Sequence, residues 1–164
     1  EIFASKVYEI DPDVITTAKG LAGGVPIGAV LTKLTDIFEY GDHGSTFGGN
    51  FLSCAAGLET LAILNELYNN GTLQRTITLF HAELDALVVD FADIFSHKVG
   101  LGLMCGLYTR NPDMQQEIIA QALKHYVIVL KSGKGVVRFL PPLTITQEEI
   151  KEGFARVRNA LKTL

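Results

Sequence analysis

A lysine stands where a β-branched segment gives way to glycine. Val14 to Thr17 is β-branched and predicts a strand, and Ala18, Lys19 and Gly20 follow it. In open α/β sheets, ligands bind beyond the carboxyl ends of strands. With apolar neighbours and little steric cover, the Lys19 amine could stay uncharged and form a Schiff base with a carbonyl group. A solvated charge at a strand end is the alternative.

A glycine-rich segment, Gly41 to Asn50, forms the second candidate. It contains Ser45 and Thr46 among its glycines, and so many glycines cannot support a regular element. Free backbone N–H groups and hydroxyls in such a loop would suit a phosphate. The alternative is a flexible connector.

An arginine within an apolar strand is the third candidate. The segment Val136 to Leu140 predicts a strand that places Val136, Arg138 and Leu140 on one face. An arginine between aliphatic neighbours is costly to bury without an anion, and its guanidinium matches a carboxylate bidentately. An edge-strand arginine that reaches water is the alternative.

Several other motifs do not support a site. The glycines from Gly100 to Gly106 have the wrong third spacing for a dinucleotide fingerprint, and Ser132 to Gly135 lacks the flanking residues of a phosphate-binding P-loop. Cys54 and Cys105 are expected to be buried, reduced thiols. The four histidines show no metal-ligand spacing, so we predict no metal site.

The first part of the chain must position Lys19 and the glycine-rich loop. After a Gly-Gly-Val-Pro turn, Ile27 to Leu31 predicts a second strand. Phe51 to Tyr68 is apolar nearly all round at its start and predicts a buried helix, which stops at Asn69 to Gly71. A second long helix follows, with an apolar stripe of Leu73, Ile77, Phe80, Leu84, Leu87, Phe91 and Ile94.

The last part of the chain alternates between strands and helices. The predicted strands are, in order, Val99–Tyr108, Val127–Leu130 and Val136–Leu140. Asn111 and Pro112 open a helix that runs to about His125. Thr146 to Glu149 is a capping box at the start of the final helix. The apolar stripe of that helix is Ile150, Phe154, Val157, Leu161 and Leu164.

Composition excludes some partners. Of the 164 residues, 48% are hydrophobic and 20% are charged, with a net charge of -4, which is typical of a soluble globular protein. The acidic balance argues against nucleic acid as the main partner. The longest uncharged apolar stretch, Leu21 to Thr32, is far shorter than the ~20 residues of a spanning helix. With no signal-peptide pattern at the start, we expect a cytoplasmic protein that binds neither nucleic acid nor membrane.

Three of these segments together resemble one family. ITTAKGLAGGVPIGAVL resembles the cofactor-lysine segment of the class III (subgroup II) aminotransferases, in the acetylornithine/ornithine aminotransferase group. HGSTFGGN resembles the segment that lends a threonine to the pyridoxal 5'-phosphate (PLP) of the neighbouring subunit, and VVRFLPPLTIT the strand whose arginine binds the substrate carboxylate. Order and separations match over essentially the whole chain.

The resemblance implies a role for each candidate residue. Lys19 would be the Schiff-base lysine and the catalytic proton shuttle. Thr46, with Ser45, would bind the PLP phosphate across a homodimer interface. Arg138 would bind the α-carboxylate of glutamate or 2-oxoglutarate. STFGGN resembles acetylornithine more than ornithine aminotransferases.

The resemblance also implies an α/β fold, the C-terminal part of a PLP-dependent transferase of fold type I. We expect residues 1–70 to be part of the PLP-binding large domain, with part of its sheet. Residues 71–96 would be a connecting helix, and 97–164 a small α+β C-terminal domain. The glycine-rich phosphate cup, the stacking aromatic and the aspartate at the pyridine nitrogen would precede this sequence, so we expect a fragment that is inactive alone.

The implied reaction moves an amino group from N-acetylornithine to 2-oxoglutarate, a step of arginine biosynthesis. Two alternatives stay open. One is another class III aminotransferase, acting on ornithine, succinylornithine or 4-aminobutyrate. The other is a non-catalytic folded fragment without cofactor, which bound PLP would distinguish.

Overall fold

The chain folds into two compact units. The computed structural model describes residues 3–164. The first unit ends at Asn69, and the second is Asn70–Leu164. The first two residues of the predicted 1–70 domain lie outside the described part. Within residues 3–164 no helix is both long and apolar enough to span a bilayer.

The first unit is a small sheet beside a long helix. Its elements are α1 (Ala4–Val7), β1 (Val14–Thr17), a 3-10 turn (Lys19–Ala22), β2 (Ala29–Thr32) and α2 (Phe51–Asn69). β1 and β2 pair antiparallel, as the register Val14 to Thr32 and Thr17 to Ala29 shows. Both predicted strands and the predicted helix are therefore confirmed, with β2 shifted slightly toward the C-terminus.

The prediction that α2 is a buried helix is wrong for this chain. Of its residues, Ser53 and Gly57 are buried, whereas Phe51 is 95% and Leu58 71% exposed. The buried stripe packs on the 3-10 turn, since a Cβ at Gly57 would lie 3.8 Å from the carbonyl oxygen of Leu21. The remaining apolar surface of α2 has nothing to pack against among the residues described.

The second unit is a four-stranded antiparallel sheet with three helices. Its strands lie in the order β3-β4-β6-β5. The strands are β3 (Phe95–Leu101), β4 (Met104–Thr109), β5 (Leu130–Lys131) and β6 (Val136–Phe139), and the helices are α3 (Thr72–Asp90), α4 (Met114–Lys124) and α5 (Gln147–Leu161).

The core of this unit lies between the helices and one face of the sheet. Leu107 and Val137 face each other on β4 and β6 and are fully buried. They pack in one cluster with the stripes of the three helices, including Leu84, Ile118 and Phe154. Burying each such side chain stabilises the fold by about 1.5–3 kcal/mol. Gly106 and Arg138 alternate with these residues, so they lie on the opposite face of the sheet.

The α3 and α5 stripes agree with the sequence pattern except at their ends. α3 ends at Asp90, so Phe91 and Ile94 of the predicted stripe lie beyond the helix. Phe80, Leu84 and Leu87 of α3 and Ile150, Phe154, Val157 and Leu161 of α5 are buried, while Leu164 is 39% exposed beyond the helix end. Thr146 and Glu149 form the predicted capping box. Arg158 ties the two helices together, 2.8 Å from Glu83 and 3.4 Å from Asp90.

The prediction of one strand from Val99 to Tyr108 is wrong, because this run is a hairpin. β3 and β4 pair antiparallel, with Leu101 opposite Met104. The chain reverses at Gly102 and Leu103. Gly100, at the end of β3, and Gly102 have φ angles of 105° and 58°. A Cβ at Gly100 would collide with the carbonyl oxygen of Met104. An unbroken apolar run hid this turn, since apolar residues flank both glycines.

Two other boundaries differ from the sequence prediction. α4 begins at Met114 rather than at Pro112, after a turn in which the Asp113 N–H donates to the Asn111 side chain at 3.0 Å. Of the strand predicted over Val127–Leu130, only Leu130 lies in a strand, which is Leu130–Lys131. These two residues pair with β6, Leu130 opposite Arg138 and Lys131 opposite Val137.

Candidate functional site

Lys19 follows β1 in a strained backbone conformation. Its φ angle is 53°, in the left-handed region that side chains other than glycine rarely adopt. That conformation costs on the order of 1 kcal/mol, and such strain clusters at functional sites. Lys19, Ala18 and Gly20 are all exposed in this chain, which agrees with the little steric cover expected from the sequence but not with desolvation of the amine by apolar neighbours. An exposed amine here is open to a ligand or to a partner surface.

The glycine-rich segment is an exposed loop that leads directly into α2. Ser45 and Thr46 are both exposed. Gly48 allows the turn, because a Cβ there would lie 2.9 Å from the Cβ and Oγ of Ser45. Gly49 has a φ angle of 69°. The loop therefore presents two hydroxyls on a backbone that only glycine permits at these positions.

Asn50 and Ser53 fix the end of this loop, a role that the sequence prediction missed. The Ser53 N–H donates to Oδ1 of Asn50 at 3.0 Å, which caps α2. The Ser53 hydroxyl donates to the Pro26 carbonyl oxygen at 3.0 Å. Asn50 immediately before a helical segment was the available signal. Lys19 thus lies in the 3-10 turn that packs on α2, and Thr46 lies in the loop that ends at the Asn50 cap of α2.

Arg138 lies on the sheet face that carries no helix, in the second unit. Its neighbours across the strands are Gly106 on β4 and Leu130 on β5. The Arg138 Nε is buried and has no hydrogen-bond partner among residues 3–164. An unpaired buried donor costs about 1–3 kcal/mol. The sequence placed Val136, Arg138 and Leu140 on one face of a strand. Val136 and Arg138 are both in β6, whereas Leu140 lies beyond its end.

A cavity of about 250 Å³ adjoins Arg138. Its wall includes Val99, Met104 and Val136, and its polar side chains are those of Ser132 and Arg138. The cavity is mostly apolar with a cationic group at one side. That arrangement suits an anion carried on a short aliphatic chain.

Two buried polar side chains donate hydrogen bonds to the backbone of the turn before β6. Nε2 of Gln115 donates to the carbonyl oxygens of Ser132 and Val136, at 2.8 and 2.6 Å. The Thr109 hydroxyl donates to the Gly135 carbonyl oxygen at 2.7 Å. The sequence pattern gave no sign of these contacts. They fix the strand that carries Arg138.

A cysteine and a histidine meet elsewhere in the second unit. Sγ of Cys105 lies 3.4 Å from Nε2 of His81, which is also 2.8 Å from the carbonyl oxygen of Gly102. Burial raises the pKa of the Cys105 thiol, so the thiolate is disfavoured. The pair links α3 to the β3–β4 turn. Cys54 and Cys105 are both free thiols, Cys105 buried and Cys54 only partly so.

The four predicted site residues are divided between the two units. Lys19, Ser45 and Thr46 belong to the first unit and Arg138 to the second. No hydrogen bond or ion pair joins Lys19 to the Ser45 and Thr46 hydroxyls in the described residues. Within the same range, no group of three or more His, Cys, Asp or Glu residues is placed to hold a metal ion.

A family model and individual proteins match this chain. The model for aminotransferase class-III matches residues 1–161. Acetylornithine aminotransferase from Wolinella succinogenes is 60% identical over 162 residues, which cover 99% of this chain and 41% of that protein. The chain therefore spans about two fifths of the length of the curated relatives it matches.

Solved structures agree with the same assignment. The crystal structure of an acetylornithine aminotransferase from Elizabethkingia anophelis has a TM-score of 0.86 and 25% identity, covering 100% of this chain and 42% of that one. An ornithine aminotransferase from Toxoplasma gondii, with partial occupancy of PLP at its active site, has a TM-score of 0.84 and 27% identity, covering 99% and 40%. The mixed α/β chain thus has the partial fold type I architecture expected from the sequence.

Proposed function

Since the chain belongs to the class III aminotransferase family, we propose that it is the C-terminal part of an enzyme that moves an amino group from N-acetylornithine to 2-oxoglutarate with PLP. The observation that carries the choice of amino donor is the 60% identity to an acetylornithine aminotransferase. Ornithine is the second candidate donor, supported by the similar fold of an ornithine aminotransferase. The metabolic setting would be arginine biosynthesis in the cytoplasm.

The described residues fit a PLP phosphate and a carboxylate substrate. Lys19 is exposed and strained, as a residue kept for chemistry rather than for folding would be. The Ser45 and Thr46 hydroxyls are exposed on a glycine-shaped loop, where they could bind a phosphate from a second subunit of a homodimer. Nε of Arg138 is buried and unpaired, and a bound carboxylate would satisfy it.

Each residue then has a distinct task. PLP, when bound, would supply the electron sink that makes acidic the C–H of the carbon that bears the transferred amine, which is Cδ of N-acetylornithine or Cα of glutamate. Nζ of Lys19 attaches the cofactor and afterwards moves the proton that the substrate loses and regains. Thr46 and Ser45 hold the phosphate and so orient the cofactor. Arg138 would hold the α-carboxylate of glutamate or 2-oxoglutarate, which fixes the reacting carbon next to that carboxylate.

The proposed function includes an assignment of the chain to two domains and a connecting segment. Residues 1–70 would contribute to the PLP-binding large domain, 71–96 would connect, and 97–164 would form the small domain that carries Arg138. The helix α3 of the connecting segment shares the core of the second compact unit. This supports a connection that moves with the small domain.

Borohydride reduction of the complete enzyme tests the proposal. Reduction should fix PLP irreversibly to one peptide, with the mass of the cofactor on Lys19. The unreduced enzyme, assayed separately, should turn over N-acetylornithine faster than ornithine. Label on another lysine would refute the role of Lys19. Faster turnover of ornithine would refute the choice of donor, and absence of bound PLP would favour a non-catalytic protein.

A further inference from the structure

Ser132 borders the same cavity as Arg138 and lies on the same face of the sheet. β5 and β6 pair with Leu130 opposite Arg138 and Lys131 opposite Val137. One step further, the Ser132 N–H donates to the Val136 carbonyl oxygen at 2.9 Å. Residues opposite each other on paired strands share a face. Ser132 therefore points to the open face with Val136 and Arg138, and it lines the cavity there.

The hydroxyl is the polar group that Ser132 has available for a ligand. Its backbone N–H is bonded to Val136, and its carbonyl oxygen accepts from Nε2 of Gln115 at 2.8 Å. Gln115 is 3% exposed and bonds Val136 as well, so the turn is fixed from the core side. The Ser132 side chain thus stands on a rigid support two strand positions from Arg138. Such diagonal neighbours lie about 7–8 Å apart, a distance that one carboxylate and an arginine side chain can bridge.

Gly106 leaves the other side of Arg138, away from β5, without a side chain. It lies opposite Arg138 on β4. A Cβ at this position would collide with Cγ1 of Val136 and lie 3.2 Å from the Val137 carbonyl oxygen. Any side chain here would push Val136 toward the cavity. β4 therefore has no side chain beside Arg138 in the wall of the cavity.

We propose that Ser132 is a second substrate-binding residue, whose hydroxyl donates a hydrogen bond to the carboxylate that Arg138 binds. The inference rests on the proposed function and adds a residue to its carboxylate site. The site then has a cationic fork and a neutral donor, above an apolar wall formed by Val99, Met104 and Val136. It would favour a carboxylate on an aliphatic chain over an inorganic anion, because the wall offers no further polar group.

Two variants of Ser132 with the same shape test this proposal in the complete enzyme. Ser132 has φ −122° and ψ 168°, a conformation that suits β-branched residues, so both Ser132→Thr and Ser132→Val are tolerated by the backbone. Threonine keeps the hydroxyl and valine replaces it by a methyl group. Ser96→Ala, at the other serine of the second unit, is the matched control.

The measurements are the KM and kcat for glutamate and the inhibition constant of glutarate, a dicarboxylate that cannot react. Loss of a hydrogen bond to a charged group should raise KM and the glutarate constant about tenfold in Ser132→Val, with kcat changed less than about twofold. Ser132→Thr and Ser96→Ala should stay near the unmodified enzyme. A structural role alone would instead lower thermal stability and kcat in both Ser132 variants. If Ser132→Val does not fold, Ser132→Ala takes its place.

Arg138→Lys, measured in parallel, distinguishes failure of the Ser132 role from failure of the proposed carboxylate site. If Arg138→Lys weakens glutarate binding while Ser132→Val does not, the role of Ser132 is overturned and the proposed function stands. If neither variant alters glutarate binding, the carboxylate site itself is wrong. Equal losses in Ser132→Thr and Ser132→Val would also overturn the proposal, since the hydroxyl would then be irrelevant.

Discussion

Lys19 and Arg138 each have a feature that folding alone does not require. Lys19 has a left-handed backbone at φ 53° where glycine would be unstrained. Arg138 has a buried Nε without a partner in the described residues. Natural proteins depart from local rules mainly at functional sites. Lys19 and Arg138, which the sequence motifs single out, are thus residues whose conformation or burial lowers the stability of the fold.

Substituting Lys19 should abolish transamination and leave the fold intact. Lys19→Ala and Lys19→Arg both remove the nucleophilic amine, while arginine keeps the charge. In the complete enzyme we expect each to lose on the order of a thousandfold or more in kcat/KM, as loss of a covalent catalyst does. Circular dichroism and thermal unfolding should match the unmodified protein. Near-normal turnover in either variant would show that another lysine carries the cofactor.

Arg138→Lys should weaken substrate binding without affecting PLP. Lysine keeps the charge but loses the fork that matches a carboxylate. We expect a loss of roughly 2–4 kcal/mol in transition-state binding, as for one partner of a buried charge pair. The loss should appear with glutamate and with 2-oxoglutarate alike, because in both the α-carboxylate is attached to the reacting carbon. Single-turnover kinetics with glutamate and a PLP titration measure the two effects. Weakened PLP binding with unchanged glutamate kinetics would make Arg138 a structural residue.

At the level of elements, α5 depends on a capping box that can be tested directly. Oγ1 of Thr146 accepts from the Glu149 N–H at 3.1 Å, and the Thr146 N–H donates to Oε2 of Glu149 at 2.8 Å. Thr146→Ala should lower the free energy of unfolding by about 1 kcal/mol at pH 7. Urea unfolding of the chain measures this difference. Thr144→Ala, two residues earlier and also exposed, is the control and should be near neutral.

The same capping box predicts a dependence on pH. The hydrogen bonds from the Thr146 backbone and side chain lower the pKa of Glu149 below its ordinary value. A carboxyl whose folded pKa is depressed stabilises the fold above its unfolded pKa of about 4.3, and the contribution is lost as pH falls through the folded pKa. The cost of Thr146→Ala should therefore be smaller at pH 3 than at pH 7. It should not vanish, because the bond from the Glu149 N–H does not titrate. A cost that grows at pH 3 would contradict this sign.

At the level of the whole molecule, the chain exposes more apolar surface than an isolated domain normally does. Phe51 and Leu58 lie seven residues apart on one side of α2, at 95% and 71% exposure. Val30 and Leu31 of β2 are also exposed. Exposed apolar surface of this kind favours association. Under the proposed function, we expect other parts of a large domain or a second subunit to cover it.

The isolated chain should therefore associate and be inactive. We expect light scattering to show particles larger than a 17.8 kDa monomer. Phe51→Ser combined with Leu58→Ser should reduce this association, whereas Val89→Ser, at an exposed position on α3, should not. We expect no acetylornithine aminotransferase activity, since the chain covers 41% of its 60% identical relative. Activity in a homogeneous preparation, or a monomer in solution, would contradict these expectations.

The sequence by itself determined the family and most of the elements, and it singled out Lys19 as the proposed cofactor lysine. Short motifs such as TTAKG and STFGGN carry this information, because chemistry at a site requires particular residue types at particular spacings. The amphipathic stripes of α3 and α5 were readable for a related reason, since each helix must turn its apolar side to a core. The capping box at Thr146 is a local signal and was also readable.

Only the tertiary structure decided the features that depend on contacts between distant residues. The β3–β4 hairpin was hidden because an apolar strand and an apolar turn look alike in one dimension, and the φ angles of Gly100 and Gly102 separate them. The support of Ser132 by Gln115 joins residues 17 positions apart. The exposure of α2 likewise could not be seen, since periodicity shows that a surface is apolar but not whether a partner covers it.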